Sequence, residues 1–140
     1  MATTATITLA SDVMAGFGGI TNTMTLTEAG TLTDLKETTG YSRKKLASAS
    51  KVDLFTMADT NTTLGVDSAT GAKIFIKNIG YNGVITKDVG IKVFIASVEI
   101  GVLYGGDWLV MPLATTDAED VEVQPADDNA VVLEWAMFYQ

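Results

Sequence analysis

The stretch GAKIFIKNIG, residues 71–80, decides the fold class of this chain. Its apolar residues 74–76 are β-branched or aromatic, which favours a strand, and they lie between Lys73 and Lys77. A short continuous apolar run of this kind is typical of a central strand that is covered on both faces. The Asn and Gly residues that follow predict a turn over residues 78–83.

The rest of the chain repeats this pattern of short strands punctuated by Gly and Asx residues. Gly105 and Gly106 predict a hairpin turn, and Pro125 predicts either the end of a strand or a strand at a sheet edge. No segment predicts an amphipathic helix of three turns. The predicted further strands are residues 3–10, 22–35 with a turn at 29–30, 43–47, 52–57, 89–98, 100–103, 108–111, 120–127 and 130–139.

Strands at this spacing predict a β-sandwich or a β-barrel. Of the two we expect an all-β chain folded as a single-domain β-sandwich, jelly-roll-like, with an extended N-terminal arm. The chain has 140 residues, of which 47% are hydrophobic, so one domain can hold a core without covalent staples. We assign residues 1–20 to the N-terminal arm and first strand, and residues 21–140 to the sandwich. On the last strand, alternate residues predict one apolar face, with Glu134 on the other.

Charge and hydropathy narrow the classes of partner. The net charge is −8, which argues against nucleic acid or an anionic membrane surface as the main partner, because phosphate contacts need Lys and Arg. No run of about 18 apolar residues predicts a transmembrane helix. The N-terminal segment is interrupted by Asp12 and has no basic start, so it does not resemble a signal peptide. Every basic residue lies at or before Lys92, an asymmetry suited to orienting the protein on a partner surface.

The residue types argue against an enzyme and against a cofactor. The chain has no His and no Cys, which removes the commonest general base, the commonest nucleophile pairs and the usual zinc ligands. The carboxylates Glu99, Asp107 and Glu134 are spaced as ordinary surface residues rather than as a glycosidase pair. We therefore predict no catalytic residues and no cofactor.

Two loops resemble ligand-binding motifs without completing them. Residues 59–67 begin like a calcium loop, but Leu64 stands where the sharp turn needs Gly, and Thr70 stands where the loop needs Glu. We predict no metal site there. The segment GFGGIT, residues 16–21, lacks the third Gly of a dinucleotide fingerprint, and we interpret it as a flexible bend.

For the basic cluster and the two Trp residues, a structural role is the first expectation and a binding role the second. The cluster at residues 43–45 is expected to be a solvated face or an edge-strand guard rather than a nucleic-acid contact. Trp108 and Trp135 lie on predicted strands, where core packing is the first expectation and an interface anchor the second.

Four segments of the second half carry a resemblance to a known class. They are residues 75–78 (FIKN), residues 105–108 (GGDW), the Pro-Leu step at residues 112–113, and residues 133–138 (LEWAMF). In these the chain resembles small virion structural proteins of tailed bacteriophages. The resemblance implies a capsid decoration (cement) protein, assembled in the host bacterial cytoplasm and located in the virion. Tail-tube, neck and tail-fibre components are the alternatives, and the tube is disfavoured because only residues 58–72 approach the length of a ring-stitching loop.

The same resemblance implies partners and contact residues. The partners would be the major capsid protein or other virion subunits, and the protein would form a homo-oligomer, with a trimer favoured. The N-terminal arm would add a strand to a neighbouring subunit. The interface residues implied are Thr3, Thr4, Thr6, Ile7, Leu9, Phe17 and Trp108.

A carbohydrate-binding β-sandwich module is the alternative of a different class. Such a module needs exposed aromatic rings on one face. The rings available to it are Trp108, Tyr104, Tyr81 and Tyr41.

Overall fold

The protein is all-β in a computed structural model that describes residues 4–9, 20–25, 37–47, 49–55, 72–81, 88–113 and 121–139. Within these ranges no helix is long and apolar enough to cross a membrane. The strands are β1 Thr4–Leu9, β2 Ile20–Thr25, β3 Glu37–Thr38, β4 Ser42–Leu46, β5 Val52–Phe55, β6 Ala72–Gly80, β7 Ile91–Ile95, β8 Val98–Leu103, β9 Trp108–Leu113, β10 Val121–Pro125 and β11 Val131–Tyr139.

Most of these strands form two antiparallel sheets. The first sheet has the order β4–β11–β6–β9, and the short β3 pairs with β11 further along the strand that β4 also pairs. The second sheet has the order β5–β10–β7–β8. A further two-stranded sheet joins β1 to β2 in antiparallel register, from Thr4 opposite Thr25 to Leu9 opposite Ile20.

The two larger sheets enclose one hydrophobic core. Alternate residues of each strand point inward, so each sheet contributes one apolar face. Burying a side chain of this kind contributes about 1.5–3 kcal/mol. The buried cluster draws Leu46, Ile74, Ile76, Val131 and Leu133 from the first sheet, and Leu54, Ile91, Val93, Val121 and Val123 from the second. This shared core confirms the predicted all-β sandwich.

The strand β6 occupies the central position that the opening stretch predicts. It pairs with β11 on one side and with β9 on the other. Ile74 and Ile76 are buried in the core, whereas Phe75 and Lys77 point outward and are only half-buried. The expectation that both faces are covered is therefore wrong at Phe75 and Lys77, although Lys73 on the same outer face is buried. The predicted turn also starts too early, because β6 continues through Asn78 to Gly80.

Two turns differ from their predictions. The turn at Gly105 and Gly106 is present, with Gly106 at φ 96, but it carries the chain from β8 in one sheet to β9 in the other, so it is not a hairpin. The predicted strand over residues 89–98 is instead broken by a two-residue turn at Ala96 and Ser97, which joins β7 to β8. Neither residue is Gly or Asn, so the sequence carried no turn signal there.

Pro125 lies at the end of a strand, as one of its two interpretations predicts. It is the last residue of β10. The other interpretation is wrong, because β10 lies between β5 and β7 and is not an edge strand. The calcium-loop-like segment 59–67 and the first four residues of the GFGGIT segment lie outside the described residues. So does the predicted loop over residues 58–72, except Ala72, which is the first residue of β6.

Candidate interaction face

The outer surface of the first sheet carries a row of charged and aromatic residues in register. Arg43 on β4 lies opposite Glu134 on β11, Glu134 lies opposite Lys77 on β6, and Lys77 lies opposite Trp108 on β9. Side chains that are directly opposite in a sheet point to the same side. The row therefore crosses the sheet from one edge to the other. We define the aromatic–basic face by the row and its neighbours: Tyr41, Arg43, Lys45, Phe75, Lys77, Trp108 and Glu134.

Three aromatic rings lie in line on this face. The ring centroids of Tyr41 and Phe75 are 5.8 Å apart with an interplanar angle of 26°, and those of Phe75 and Trp108 are 6.4 Å apart at 39°. Both separations lie in the range of favourable aromatic pairs. Tyr41 is 63% exposed and Trp108 is 41% exposed. The half-buried Phe75 thus links two rings that are open to a partner.

A nearly buried carboxylate holds the residues at one end of this line. Glu134 accepts a hydrogen bond of 2.8 Å from the Tyr41 hydroxyl on Oε2, and one of 2.7 Å from Arg43 Nε on Oε1. The hydrogen bond from Tyr41 lowers the pKa of Glu134 against the opposing effect of burial, with further lowering by Arg43 and Lys77. Burial and the bond to Glu134 raise the pKa of Tyr41. The carboxylate stays ionised and restrains both partners.

The face is locally positive on a chain of net charge −8. The Arg43 side chain is 71% exposed although its Nε is paired. Lys45 is exposed, with its Nζ 4.8 Å from the ring centroid of Tyr81 and 3.3 Å from the Tyr81 hydroxyl. Lys77 is half-buried in the row. Against these three cations, the described part of the face holds one carboxylate, Glu134.

The turn before β9 fixes where Trp108 enters the face. Asn78 N donates to the carbonyl of Asp107 at 3.0 Å, and Gly106 N donates to the carbonyl of Asn78 at 2.9 Å. Within the turn, Asp107 N donates to the carbonyl of Tyr104 at 2.8 Å, and its Oδ2 accepts from Tyr104 N at 2.9 Å. Trp108 therefore starts its strand from a turn held by β6, so its indole is mounted on rigid backbone.

The structure brings together some of the predicted interface and sugar-contact residues. Trp108 lies on the aromatic–basic face with Tyr41, so the expectation of core packing is wrong for Trp108. It is right for Trp135, which packs against the core. Tyr104 lies in the turn before β9, and Tyr81 lies beside Lys45.

The interface residues predicted near the N-terminus fall into two groups. Thr4 and Thr6 are exposed on β1. Ile7 and Leu9 belong to the same strand, and Thr3 and Phe17 lie outside the described residues. These residues do not form part of the aromatic–basic face as defined above, and their role in a contact stays a prediction.

Two members of the face were missed from the sequence, Phe75 as a surface ring and Glu134 as its anchor. The alternation of Lys73, Phe75 and Lys77 could have indicated that Phe75 points outward.

Neither a scan against protein-family models nor a search of the curated proteins gives a match for this chain. The function is therefore proposed from the geometry of the face together with the resemblance that the sequence carries.

Proposed function

We propose that the chain is a structural virion protein of a tailed phage, a capsid decoration protein, and that the aromatic–basic face is a contact between subunits. The observation that carries this proposal is the pair of exposed rings, Tyr41 and Trp108, mounted on one rigid sheet with Phe75 between them. Exposed Trp and Tyr side chains in such settings are the residues that dominate protein–protein contacts. Rigid mounting lowers the entropy lost on binding.

The strand order supports a sandwich of the jelly-roll type. Among the eight strands β4 to β11, the first, eighth, third and sixth form one sheet, and the second, seventh, fourth and fifth form the other. Two four-stranded sheets that exchange strands in this way are what two Greek keys produce. Jelly rolls are common in viral capsid domains.

The β1–β2 sheet supports a second attachment point. It holds two strands, so each has one edge that no other described strand pairs. Such an edge can add to a sheet of a neighbouring subunit. The exposed Thr4 and Thr6 lie on β1. We assign β1 of this sheet to the N-terminal arm that contacts the major capsid protein. Many copies on a shell would add their weak contacts by multivalency.

The chemistry of the face supports binding rather than catalysis. Both carboxylate oxygens of Glu134 already accept hydrogen bonds, one from Arg43 and one from Tyr41. A general base needs an oxygen within reach of a substrate proton. We therefore propose a non-enzymatic role without a cofactor.

Binding to phage heads tests the proposal. Purified wild-type protein is added to heads of the encoding phage that lack it, and bound protein is measured by sedimentation. We expect saturable binding to heads and heads that resist a higher temperature. Trp108→Ala should weaken binding about tenfold or more, whereas Ile100→Ala, an exposed apolar residue on β8 outside the face, should not. Binding to tails alone would move the protein to the tail, and no binding to particles would overturn the proposal.

A carbohydrate-binding module is the second candidate, because Tyr41 and Trp108 share one face. Such a platform would stack a sugar ring on the exposed aromatic surfaces. A glycan array separates the two functions. Binding that is lost in Trp108→Ala would favour the module, and absence of binding together with saturation of phage heads would favour decoration.

A further inference from the structure

The aromatic–basic face has a counterpart of opposite charge on the same chain. Three turns meet at one end of the sandwich, over residues 88–90, 104–107 and 126–129. Ala126 N donates to the carbonyl of Gly90 at 2.9 Å, and the Asn78 amide donates to the carbonyls of Val89 and Leu103. These contacts gather the turns, and we call their surface the acidic end, defined by Asp88, Asp107, Asp127 and Asp128.

The acidic end is open, and its aspartates form no ion pair within the described part of the chain. All four aspartates are exposed. Asp107 and Asp127 accept hydrogen bonds from backbone amides of their own turns, at 2.9 Å each, which positions the carboxylates without neutralising them. The three ion pairs between described residues involve Glu134, Glu122 and Glu99 and none of these aspartates. No three of them lie close enough to hold a metal ion.

We propose that the aromatic–basic face receives the acidic end of a second copy of this chain. This inference rests on the proposed function, in which the face is a subunit contact, and it names the partner. Complementary charge steers such contacts and fixes their register. The exposed cations Arg43 and Lys45, together with the half-buried Lys77, would meet carboxylates of the neighbour. Trp108 and Tyr41 would supply the apolar contact.

A nucleic acid is a weaker occupant for the same face. Aromatic rings flanked by cations can stack bases along a single strand. The phosphate backbone, however, would meet a chain of net charge −8 whose acidic end lies on the same molecule. In a contact with a second copy, by contrast, the acidic end and the aromatic–basic face both meet a surface of opposite charge.

The arrangement also favours a ring. Each copy can donate its end to one neighbour and its face to another, which is a heterologous contact. A two-fold contact of face against face would bring like charges together. Head-to-tail contacts close into a cyclic oligomer when the rotation allows, which agrees with the trimer expected from the sequence.

A charge exchange tests the contact. One variant reverses the face (Lys45→Glu with Lys77→Glu), one reverses the end (Asp127→Lys with Asp128→Lys), and a third combines all four substitutions. Native mass is measured by light scattering after size exclusion over a concentration series. The control is Lys92→Glu on the second sheet, where Lys92 forms an ion pair with Glu99.

We expect the wild type to form an oligomer that dissociates at high salt. Each two-site variant alone should associate at least about tenfold more weakly, the two mixed should associate with each other, and the combined variant should recover self-association. The control should behave as wild type. Unfolding curves establish that each variant is folded. Lys45→Glu alone replaces a face variant that is not, and Asp127→Asn with Asp128→Asn replaces an end variant that is not; weakened association is expected from either replacement.

Two results would overturn the inference. One is a wild type that stays monomeric at every concentration and salt, or that binds single-stranded DNA through Lys45 and Lys77 instead. The other is a combined variant that fails to recover association. A wild-type monomer that still saturates phage heads would overturn this inference alone, whereas an oligomer that ignores all particles would overturn the proposed function alone.

Discussion

The side-chain amide of Asn78 donates a hydrogen bond of 2.9 Å to the carbonyl oxygen of Leu103 and so joins β6 of the first sheet to β8 of the second. The same amide donates to the carbonyl of Val89 at 2.8 Å, and its oxygen accepts from Gly80 N at 2.8 Å. Asn78 is fully buried. Because both amide protons and the oxygen are satisfied, the residue pins the two sheets at the end of the sandwich from which Trp108 departs.

Replacing this amide should destabilise the fold strongly. Asn78→Ala removes the three hydrogen bonds that this side chain makes to the Gly80 amide and to the carbonyls of Val89 and Leu103, and it opens a cavity. We therefore expect the free energy of unfolding to fall by about 3 kcal/mol or more. Urea unfolding measures it. Asn129→Ala, at an exposed position, should change the value by less than about 0.5 kcal/mol. Equal effects at the two positions would contradict the pinning role.

Two glycines should respond differently to the same added methyl group. At Gly90 a Cβ would lie 2.7 Å from Val102 Cγ1 and 3.1 Å from Ala126 Cβ, whereas at Gly101 nothing lies within 4 Å. Gly90→Ala should cost about 1–3 kcal/mol by overpacking. Gly101→Ala should cost nothing or add a few tenths of a kcal/mol through the unfolded chain. Thermal unfolding of both variants checks this, and a Gly90→Ala protein as stable as wild type would refute the close approach.

Glu134 should make stability depend on pH at acidic values. Its pKa is lowered in the fold from 4.5, so the unfolded chain binds the proton more readily. Its contribution is therefore present above pH 4.5 and is lost as pH falls through the folded pKa. We expect wild type to exceed Glu134→Gln in stability near neutral pH, with the difference narrowing below about pH 4.

Tyr41→Phe removes the hydroxyl and keeps the ring, so the same series of unfolding curves measures the contribution of the hydroxyl alone. Loss of the hydrogen bond to Glu134 should raise the pKa of that carboxyl. As the pH is lowered, the stability that ionised Glu134 contributes is then lost at a higher pH than in wild type. The Tyr41 pKa is itself raised from 10.0, and its contribution in wild type is lost above that pH. If the difference in the free energy of unfolding between wild type and Glu134→Gln does not vary with pH, the claim that Glu134 stabilises the fold as an ionised carboxylate is refuted.

The turn between β7 and β8 should accept a stabilising substitution. Ser97 has φ 67, in the left-handed region, which costs a side-chain-bearing residue roughly 1–2 kcal/mol. Ser97→Gly should therefore raise the free energy of unfolding by up to about 1 kcal/mol. The matched control is Ser50→Gly, an exposed residue outside the left-handed region, which should lose stability or stay unchanged. A loss in Ser97→Gly would contradict the turn geometry.

The periodicity of apolar residues was enough to predict the all-β fold. The positions of some turns could not be predicted, because they depend on contacts between side chains and distant segments. The apolar run of β6 and the alternation of β10 and β11 report burial directly, so these strands could be found. Ala96 and Ser97 form a turn without turn-forming residues, because the flanking strands impose it. Asn78 followed by Gly80 carries a turn signal, yet the amide of Asn78 instead satisfies carbonyls of distant segments.

The candidate site could be predicted only in part. Trp108 and Tyr41 are visible as rings in a chain with few aromatic residues. That Glu134 receives the Tyr41 hydroxyl could not be predicted, because the two residues are 93 positions apart and meet only through the pairing of β4 with β11. The face arises from strand register, which composition and local pattern do not determine.

Hydroxyl-radical footprinting of the free protein and of the assembled particle tests the central claim most directly. Tyr41 and Trp108 are exposed in the single chain, as is Val98 on β8 of the other sheet at 66%. If the aromatic–basic face is a subunit contact, Tyr41 and Trp108 should lose reactivity several-fold on assembly while Val98 keeps its own. Rings that react in the particle as they do in the free protein would contradict the claim.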